Sequence, residues 1–261
     1  MSKQKSGEII NLPKNGYLYE IFSGIQGEGL LVGERQIFIR LAGCNLKCTF
    51  CDTPSARMYT EICRIEKTAG LRDFTTVRNP MTFLETAGHA GRLETAPRIH
   101  HSVVLTGGEP LTQAEFTAKV AREFKKRGFR VLLETNGSLP DVLPEVMPFV
   151  DMISMDIKLP SVTEGPDLFS EHEMFLHRAA STDVFTKVVL TSGTSIQELL
   201  RAAKMVEGVD PEIPMVLQPV TPQSNLSTPS SAQILDWQAQ CKAYLRNVRV
   251  IPQCHKIIGQ L

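Results

Sequence analysis

The sequence has no surplus of either charge: its 261 residues carry 28 Lys and Arg against 28 Asp and Glu. A protein that grips DNA, RNA or an anionic membrane over a broad face needs basic side chains in excess, so no nucleic acid and no membrane partner is expected. Small anions held by a few local Lys or Arg remain open. No apolar run approaches the roughly 18 residues of a membrane-spanning helix. The opening MSKQKSGEIINLPKNG lacks the apolar stretch of a secretory leader. The chain is therefore expected in the cytoplasm, where disulfide frameworks are rare and clustered cysteines point to metal or redox chemistry. Internal repeats and low-complexity tracts are absent. So is a fourth thiol beside the three in RLAGCNLKCTFCDT (40–53), spaced C-x3-C-x2-C.

What is present suffices for a large core, with 42% of residues hydrophobic. The length suits one domain, 1–261, of the size of an α/β barrel. Apolar, β-branched runs predict strands at 35–42, 101–106, 129–135, 149–157, 184–191 and 213–220, with a possible seventh at 248–253. Helical periodicity lies between them. In 113–128, Phe116, Val120 and Phe124 share a face before the stop Lys-Lys-Arg-Gly. In 195–208, Ile196, Leu199, Leu200, Ala203 and Val206 repeat at helical spacing, with Ser195 and Glu198 as a capping box. In 231–245, Ile234, Trp237, Cys241 and Tyr244 form a stripe. Such alternation implies parallel strands with right-handed crossovers. The expected architecture is a partial (β/α) TIM-like barrel of about six parallel strands. A doubly wound open sheet is the alternative. Within 54–100 only a helix around 79–90 is expected, and the rest of that segment receives no element.

The unusual residues fall just after strands. The cysteines follow the first, TGGEP (106–110) the second, ETNG (134–137) the third, SMDIK (154–158) the fourth and QPVTP (218–222) the sixth. Loops at the carboxyl ends of parallel strands converge, so these motifs share one rim and the site is expected there.

Cys44, Cys48 and Cys51 admit two readings. A structural zinc wants four ligands, and His255 or His89 would have to complete the set. An iron–sulfur cube takes one thiolate per iron, so three thiolates leave one iron open for a ligand that is not protein.

The three-cysteine spacing followed by LTGGEPL resembles the radical S-adenosylmethionine enzymes. Residues 19–53, with IQGEG before the first strand and CDT after the last cysteine, further resemble the 7-carboxy-7-deazaguanine synthase family, as does IPQCHK (251–256). The likeness runs through 17–161 and 184–258. It implies a [4Fe–4S] cluster on Cys44, Cys48 and Cys51, whose open iron binds S-adenosylmethionine and cleaves it to a 5′-deoxyadenosyl radical. It implies the ring contraction of 6-carboxy-5,6,7,8-tetrahydropterin to 7-carboxy-7-deazaguanine with loss of ammonia, in 7-deazapurine (queuosine-type) biosynthesis. Hydrogen is taken from C6, S-adenosylmethionine is regenerated, and Mg2+ assists. An external electron donor of flavodoxin or ferredoxin type and a homodimer are implied as well.

Carried over residue by residue, the resemblance places substrate at Ile25, Gln26, Gly27, Glu28, Arg40, Thr106, Gln253 and His255. Arg40 would take the substrate carboxylate, which suits a bidentate fork. Gly107, Gly108 and Glu109 would meet the methionine portion of the cofactor, the glycines by close backbone approach and Glu109 by accepting from its ammonium group. Ser154, Asp156 and Lys158, on one side of a strand, would meet its ribose and carboxylate. Some relatives have a shorter Ser-Pro-Lys there. Glu134, Asn136 and Gln218 would complete the cofactor subsite. Thr53 would ligate Mg2+, with Asp52 behind it or merely in a turn. No residue is assigned as a protein acid, base or nucleophile.

Each motif has a plainer reading: QGEG as a hairpin turn, GGEP as a strand-to-helix turn with Pro110 opening the helix, Arg40 on a polar strand face, His255 as a structural histidine. Their conjunction favours the site. Two rivals share parts of the pattern. An activase that makes a glycyl radical in a partner protein would have the cluster loop and Gly-Gly-Glu turn but not IQGEG, Arg40 and CDT. A zinc-stabilised interaction domain would leave the other rim motifs without a purpose. Cys63, Cys241 and Cys254 are left outside the site, Cys241 as core on its helical stripe.

Overall fold

Ten strands of the computed structural model, which describes residues 15–163, 165–222 and 226–260, pair into one sheet. Residues 1–14, most of the polar N-terminal stretch, lie outside the described residues. In chain order the strands are β1 (Leu18–Ile25), β2 (Arg35–Leu41), β3 (Ile62–Glu66), β4 (Phe74–Arg78), β5 (Ser102–Gly107), β6 (Val131–Thr135), β7 (Met152–Asp156), β8 (Asp183–Leu190), β9 (Met215–Pro219) and β10 (Val248–Val250). Across the sheet they run β10-β9-β8-β7-β6-β5-β2-β1-β3-β4. From β2 through β10 seven neighbours are parallel. These are the six expected strands and the possible seventh, so the parallel α/β expectation holds.

The sheet curls on itself. The loop after β1 meets the segment after β10: the Cys254 N–H donates to the Gly27 carbonyl at 2.9 Å. These strands stand at distant places in the order, so only a rolled sheet brings them together. This is the partial barrel.

Side-chain alternation along each strand makes two different faces. Outward residues such as Ile37, Ile39, Val103, Leu105, Leu133 and Ile153 are fully buried in the main core. The helices that cover them are α1 (Phe83–Gly91), α2 (Ala114–Lys126), α3 (Phe169–Ala179), α4 (Ile196–Val209) and α5 (Ser231–Cys241). Inward, Phe38, Val104 and Leu132 make a small apolar floor together with Phe22. Two residues further along the same strands stand Arg40, Thr106 and Glu134, where Arg40 pairs with Thr106 and Glu134 with Ser154. Each strand thus turns from apolar to polar on its inner face as it approaches its carboxyl end.

The helices follow their sequence periodicity, with Phe116, Val120 and Phe124 buried on α2 and Trp237 and Cys241 on α5. α5 stops at Cys241, short of the expected 245. The capping box at Ser195 is only half made. Its hydroxyl accepts from the Glu198 N–H at 3.4 Å, but the Glu198 carboxylate accepts instead from the Ser161 N–H at 2.9 Å. A full box stands at α1, between Thr82 and Glu85, within the expected 79–90 helix.

The segment 54–100 is built into the sheet. β3 and β4 form an antiparallel pair, and β3 adds to β1 in parallel. A sealed polar chain ties its end down: Ser23 Oγ lies 2.8 Å from His100 Nε2, and His100 Nδ1 is bonded to Glu94. Arg35 Nε also donates to Ser23 Oγ, at 3.0 Å. Among the described residues no helix is long and apolar enough to cross a membrane.

Candidate active site

The polar inner row opens into a cavity of about 1250 Å3, counting its mouth. Cys44, Cys48 and Cys51 line it from the loop after β2, Gly107 and Gly108 from the turn after β5, Asn136 after β6, Lys158 after β7. Ser154, Asp156, Glu134, Thr106, Arg40 and Gln218 reach it from the strands themselves. Ile25, Gln26, Gly27 and Glu28 also line it, by a different route. β1 is antiparallel to β2, and Ile25 pairs with Arg35 at the start of β2. The loop therefore leaves from the opposite end of the sheet and reaches across the open side of the barrel. Gln26 Nε2 donates to Gln36 at 3.0 Å and to Glu134 at 2.9 Å. Gln253 and His255 close the same side. A Cβ at Gly27 would come within 2.1 Å of His255 Nδ1 and 2.5 Å of its backbone nitrogen, so glycine there lets the C-terminal turn seat on the loop.

Two expected site residues stand outside the cavity lining. Glu109 is fully buried. Its carboxylate accepts from the Leu111 N–H (3.0 Å), Thr135 Oγ1 (2.8 Å) and the Asn136 N–H (2.7 Å). It clamps the turn after β5 to the end of β6. Thr53 is set back from the cavity, its hydroxyl donating to Asp52 Oδ1 at 3.0 Å, while Asp52 does line it. The second glycine of the pair has a packing role as well. A Cβ at Gly108 would stand 2.1 Å from the Gly43 carbonyl oxygen, so glycine there also lets the turn pack against the cysteine loop, while both glycines line the cavity.

Sequence reading missed Lys187, the residue at the centre of the site's charges. Its ammonium group is bonded to Glu28 and lies 3.3 Å from Asp156 Oδ2, which is 2.7 Å from Lys158 Nζ. Burial pushes the Glu28 carboxyl up, but Lys187, with Gln253 donating at 2.7 Å, holds it well below the usual carboxylate range. Burial would lower the Lys187 ammonium, and Asp156 with Glu28 raise it above its ordinary value. Removing one partner of such a buried pair costs about 3–5 kcal/mol, because the other charge is left alone. The signal in the sequence was a lone Lys inside the apolar run VFTKVVL. Elsewhere burial, then the nearby Glu28 charge, pushes the Glu134 carboxyl up. Arg40 is held by Glu20, whose Oε1 accepts from Arg40 Nε at 3.0 Å.

The donors fit an iron–sulfur cluster better than a zinc ion. Among the described residues, the one trio of His, Cys, Asp or Glu whose ligand atoms lie within 4.8 Å of one another is Glu28, Asp52 and His255. The three cysteine sulfurs do not all lie within 4.8 Å of one another, whereas three thiolates on one zinc, each about 2.3 Å from the metal, would. His89 is bonded to Arg92, and His255 belongs with Glu28 and Asp52, so neither completes a Cys3His site. Burial pushes the Cys44 and Cys48 thiols up, so a cluster has to displace their protons. The rim also fits S-adenosylmethionine: Asp156 Oδ1 and Gln218 Oε1 are buried acceptors without a protein partner, and Arg57 Nε is such a donor. Buried atoms of this kind are rare and mark places where a ligand or water completes the bonding. Asp52 supplies a hard oxygen of the type Mg2+ prefers; the Glu28 oxygens are occupied by Lys187 and Gln253.

A family model describing the Radical SAM superfamily matches residues 38–162. The chain is 40% identical over 245 residues to a 7-carboxy-7-deazaguanine synthase of Geobacter sulfurreducens, covering 94% of this chain and 97% of that one. It is 35% identical to a 7-carboxy-7-deazaguanine synthase of Methanopyrus kandleri, covering 92% of each. Among solved structures, QueE from Escherichia coli superposes with a TM-score of 0.62 at 21% identity, over 93% of this chain and 96% of that one. A radical SAM methyltransferase from Sphaerobacter thermophilus gives 0.56 at 17% identity, over 84% and 66%. These likenesses in structure support the fold.

Proposed function

The chain belongs to the 7-carboxy-7-deazaguanine synthase family of radical S-adenosylmethionine enzymes, and from that membership we propose how its residues divide the work. The reaction is the contraction of 6-carboxy-5,6,7,8-tetrahydropterin to 7-carboxy-7-deazaguanine with release of ammonia, in the queuosine-type pathway. The observation that carries the proposal is the cavity itself, where the cysteine loop, the strand-end polar row and the IQGEG loop meet.

Cys44, Cys48 and Cys51 hold the [4Fe–4S] cluster. With S-adenosylmethionine bound, the reduced cluster and this cofactor together would supply the one-electron chemistry that removes a hydrogen atom from C6 of the pterin. Ser154, Asp156, Lys158, Asn136 and Gln218 orient that cofactor, with Gly107 and Gly108 forming the wall beside the cysteine loop. Glu109 supports this wall from behind. Gln26, Glu28, Thr106 and Glu134 read the donors and acceptors of the pterin edge. Arg40, aimed by Glu20, takes the carboxylate. Gln253 and His255 shut the open side and exclude water. Asp52, with Thr53 bonded to it, holds Mg2+ at the mouth. A homodimer, a flavodoxin- or ferredoxin-type electron donor and a cytoplasmic location complete the reading, on the strength of the sequence resemblance.

The test is anaerobic. The protein is reconstituted with iron and sulfide, reduced, and given S-adenosylmethionine, Mg2+ and the tetrahydropterin. The expected product is one ammonia lighter by mass spectrometry. Deoxyadenosine without that product would keep the radical chemistry and discard the substrate.

A further inference from the structure

We propose that Lys187 is a positioning residue that couples the pterin subsite to the S-adenosylmethionine subsite. The proposal rests on the assignment of those subsites above. It comes from one continuous chain of contacts. Thr221 Oγ1 donates to Gln253 Oε1 at 2.5 Å, and Gln253 Nε2 donates to Glu28 Oε1 at 2.7 Å. The other Glu28 oxygen accepts from Lys187. Lys187 Nζ then lies 3.3 Å from Asp156 Oδ2, which also receives Lys158 Nζ at 2.7 Å. Lys158 stands 4.9 Å over the Phe50 ring, beside Cys51 in the cysteine loop. The chain therefore runs from the C-terminal segment and the IQGEG loop, through one ammonium group, to the cluster loop.

Within this chain of contacts Lys187 is the group that touches both Glu28 and Asp156. Two carboxylates and two ammonium groups balance within it, and its members line one cavity. With Asp156 Oδ2 held by both lysines, Oδ1 is left buried without a protein partner. It is the acceptor a cofactor hydroxyl or amino group would complete. Lys187 thus sets the direction of Asp156 on one side and the seat of Glu28 on the other. A ligand that fixes either carboxylate fixes the ammonium for the other. By linkage the effect is reciprocal: each ligand tightens the binding of its neighbour by the same factor. A lysine is suited to this task because its compact ammonium group has three donors and can serve two carboxylates at once.

The experiment measures binding on the cluster-loaded, unreduced protein, where no turnover occurs. The dissociation constant of S-adenosylmethionine is determined with and without saturating 6-carboxytetrahydropterin. In the wild type the ratio is expected to be about fivefold or more, the lower end of ordinary coupling between sites. In Lys187→Met it should fall to about one, and Lys187→Arg should restore at least part of it. A purely structural lysine would weaken both ligands and leave the ratio alone. An unchanged ratio in Lys187→Met, or a wild-type ratio of one, overturns the proposal. Should Lys187→Met not fold, Asp156→Asn cuts the same link from the cofactor side, and a retained ratio there overturns it equally. Product formation by the wild type separates the two levels. If none appears, the subsite assignment fails and takes this inference with it. If product appears while the ratio survives in Lys187→Met, only the role of Lys187 is lost.

Discussion

Glu20 Oε1 accepts a hydrogen bond from Arg40 Nε at 3.0 Å, and both side chains are largely buried on neighbouring strands. The contact takes the inner nitrogen of the guanidinium and leaves its outer edge to the cavity that Arg40 lines. Glu20 is therefore an aiming device. Glu20→Gln keeps an acceptor but removes its charge, and should raise the KM for the pterin by roughly tenfold, the effect of about 1.4 kcal/mol. Arg40→Ala should raise it further. Neither should change the S-adenosylmethionine dissociation constant by more than about twofold. Equal weakening of both ligands in Arg40→Ala would mean that the arginine serves the fold and not the substrate.

Glu109 makes a different prediction from the one its motif suggests. An acidic residue that only met the cofactor's ammonium group would be dispensable to folding. The buried Glu109 accepts from two backbone N–H groups and one hydroxyl. Glu109→Ala leaves these donors unpaired, each costing about 1–3 kcal/mol. With roughly 2–4 °C of melting temperature per kcal/mol for a chain of this size, the cluster-free protein should melt several degrees lower. A variant that melts like the wild type but no longer binds S-adenosylmethionine would return Glu109 to the ligand.

The contrast between Glu109 and Arg40 shows what the sequence could disclose. Seven parallel strands were legible because both faces of such a sheet are covered, so their runs are almost wholly apolar. The rim motifs were legible because parallel strands end on one side. β3 and β4 escaped because they lie at the edge of the sheet, where Thr75 and Thr76 are exposed and the pattern mixes. β1, at Leu18–Ile25, received no strand in the sequence reading, and its antiparallel course was not readable because nothing local fixes strand direction. Lys187 and Glu28 stand 159 positions apart, and no spacing rule connects them. The Glu109 carboxylate could point to a ligand or to the backbone with the same motif; only packing decides.

The cysteines divide cleanly by position. Cys44, Cys48 and Cys51 line the cavity. Cys63 and Cys241 are fully buried away from it, and burial pushes both thiols up to about 12. Cys48→Ala should abolish both the cluster's visible absorbance and turnover. Cys63→Ala and Cys241→Ala should keep the full iron and sulfide content, with losses confined to stability, as expected of small core residues. Full iron content and activity in Cys48→Ala would remove the three-cysteine assignment.

His172 supplies a pH dependence unconnected with the cluster ligands. It is buried on α3, with Nε2 3.0 Å from the Asn136 carbonyl oxygen and Nδ1 buried without a partner. Burial lowers its pKa to about 4. The Asn136 carbonyl and the charges of Asp156 and Asp167 oppose this, and that of Lys158 adds to it. The unfolded chain has an ordinary histidine near 6.5. Between those two values the unfolded state binds a proton that the folded state refuses, so stability falls as the pH is lowered from 6.5 towards 4. At about 1.4 kcal/mol per pH unit, the loss by pH 5 is on the order of 2 kcal/mol. Urea midpoints measured from pH 7 to pH 5 should decline in the wild type and decline less in His172→Phe, which fills the same space without a titrating group. Other titrating groups act in both proteins and cancel in the comparison. Parallel curves would show that His172 accepts its proton within the fold. The carbonyl it touches belongs to Asn136 on the cavity rim, so a protonated ring would then need a second acceptor at Nδ1, and the packing of α3 against that rim would have to open to supply one.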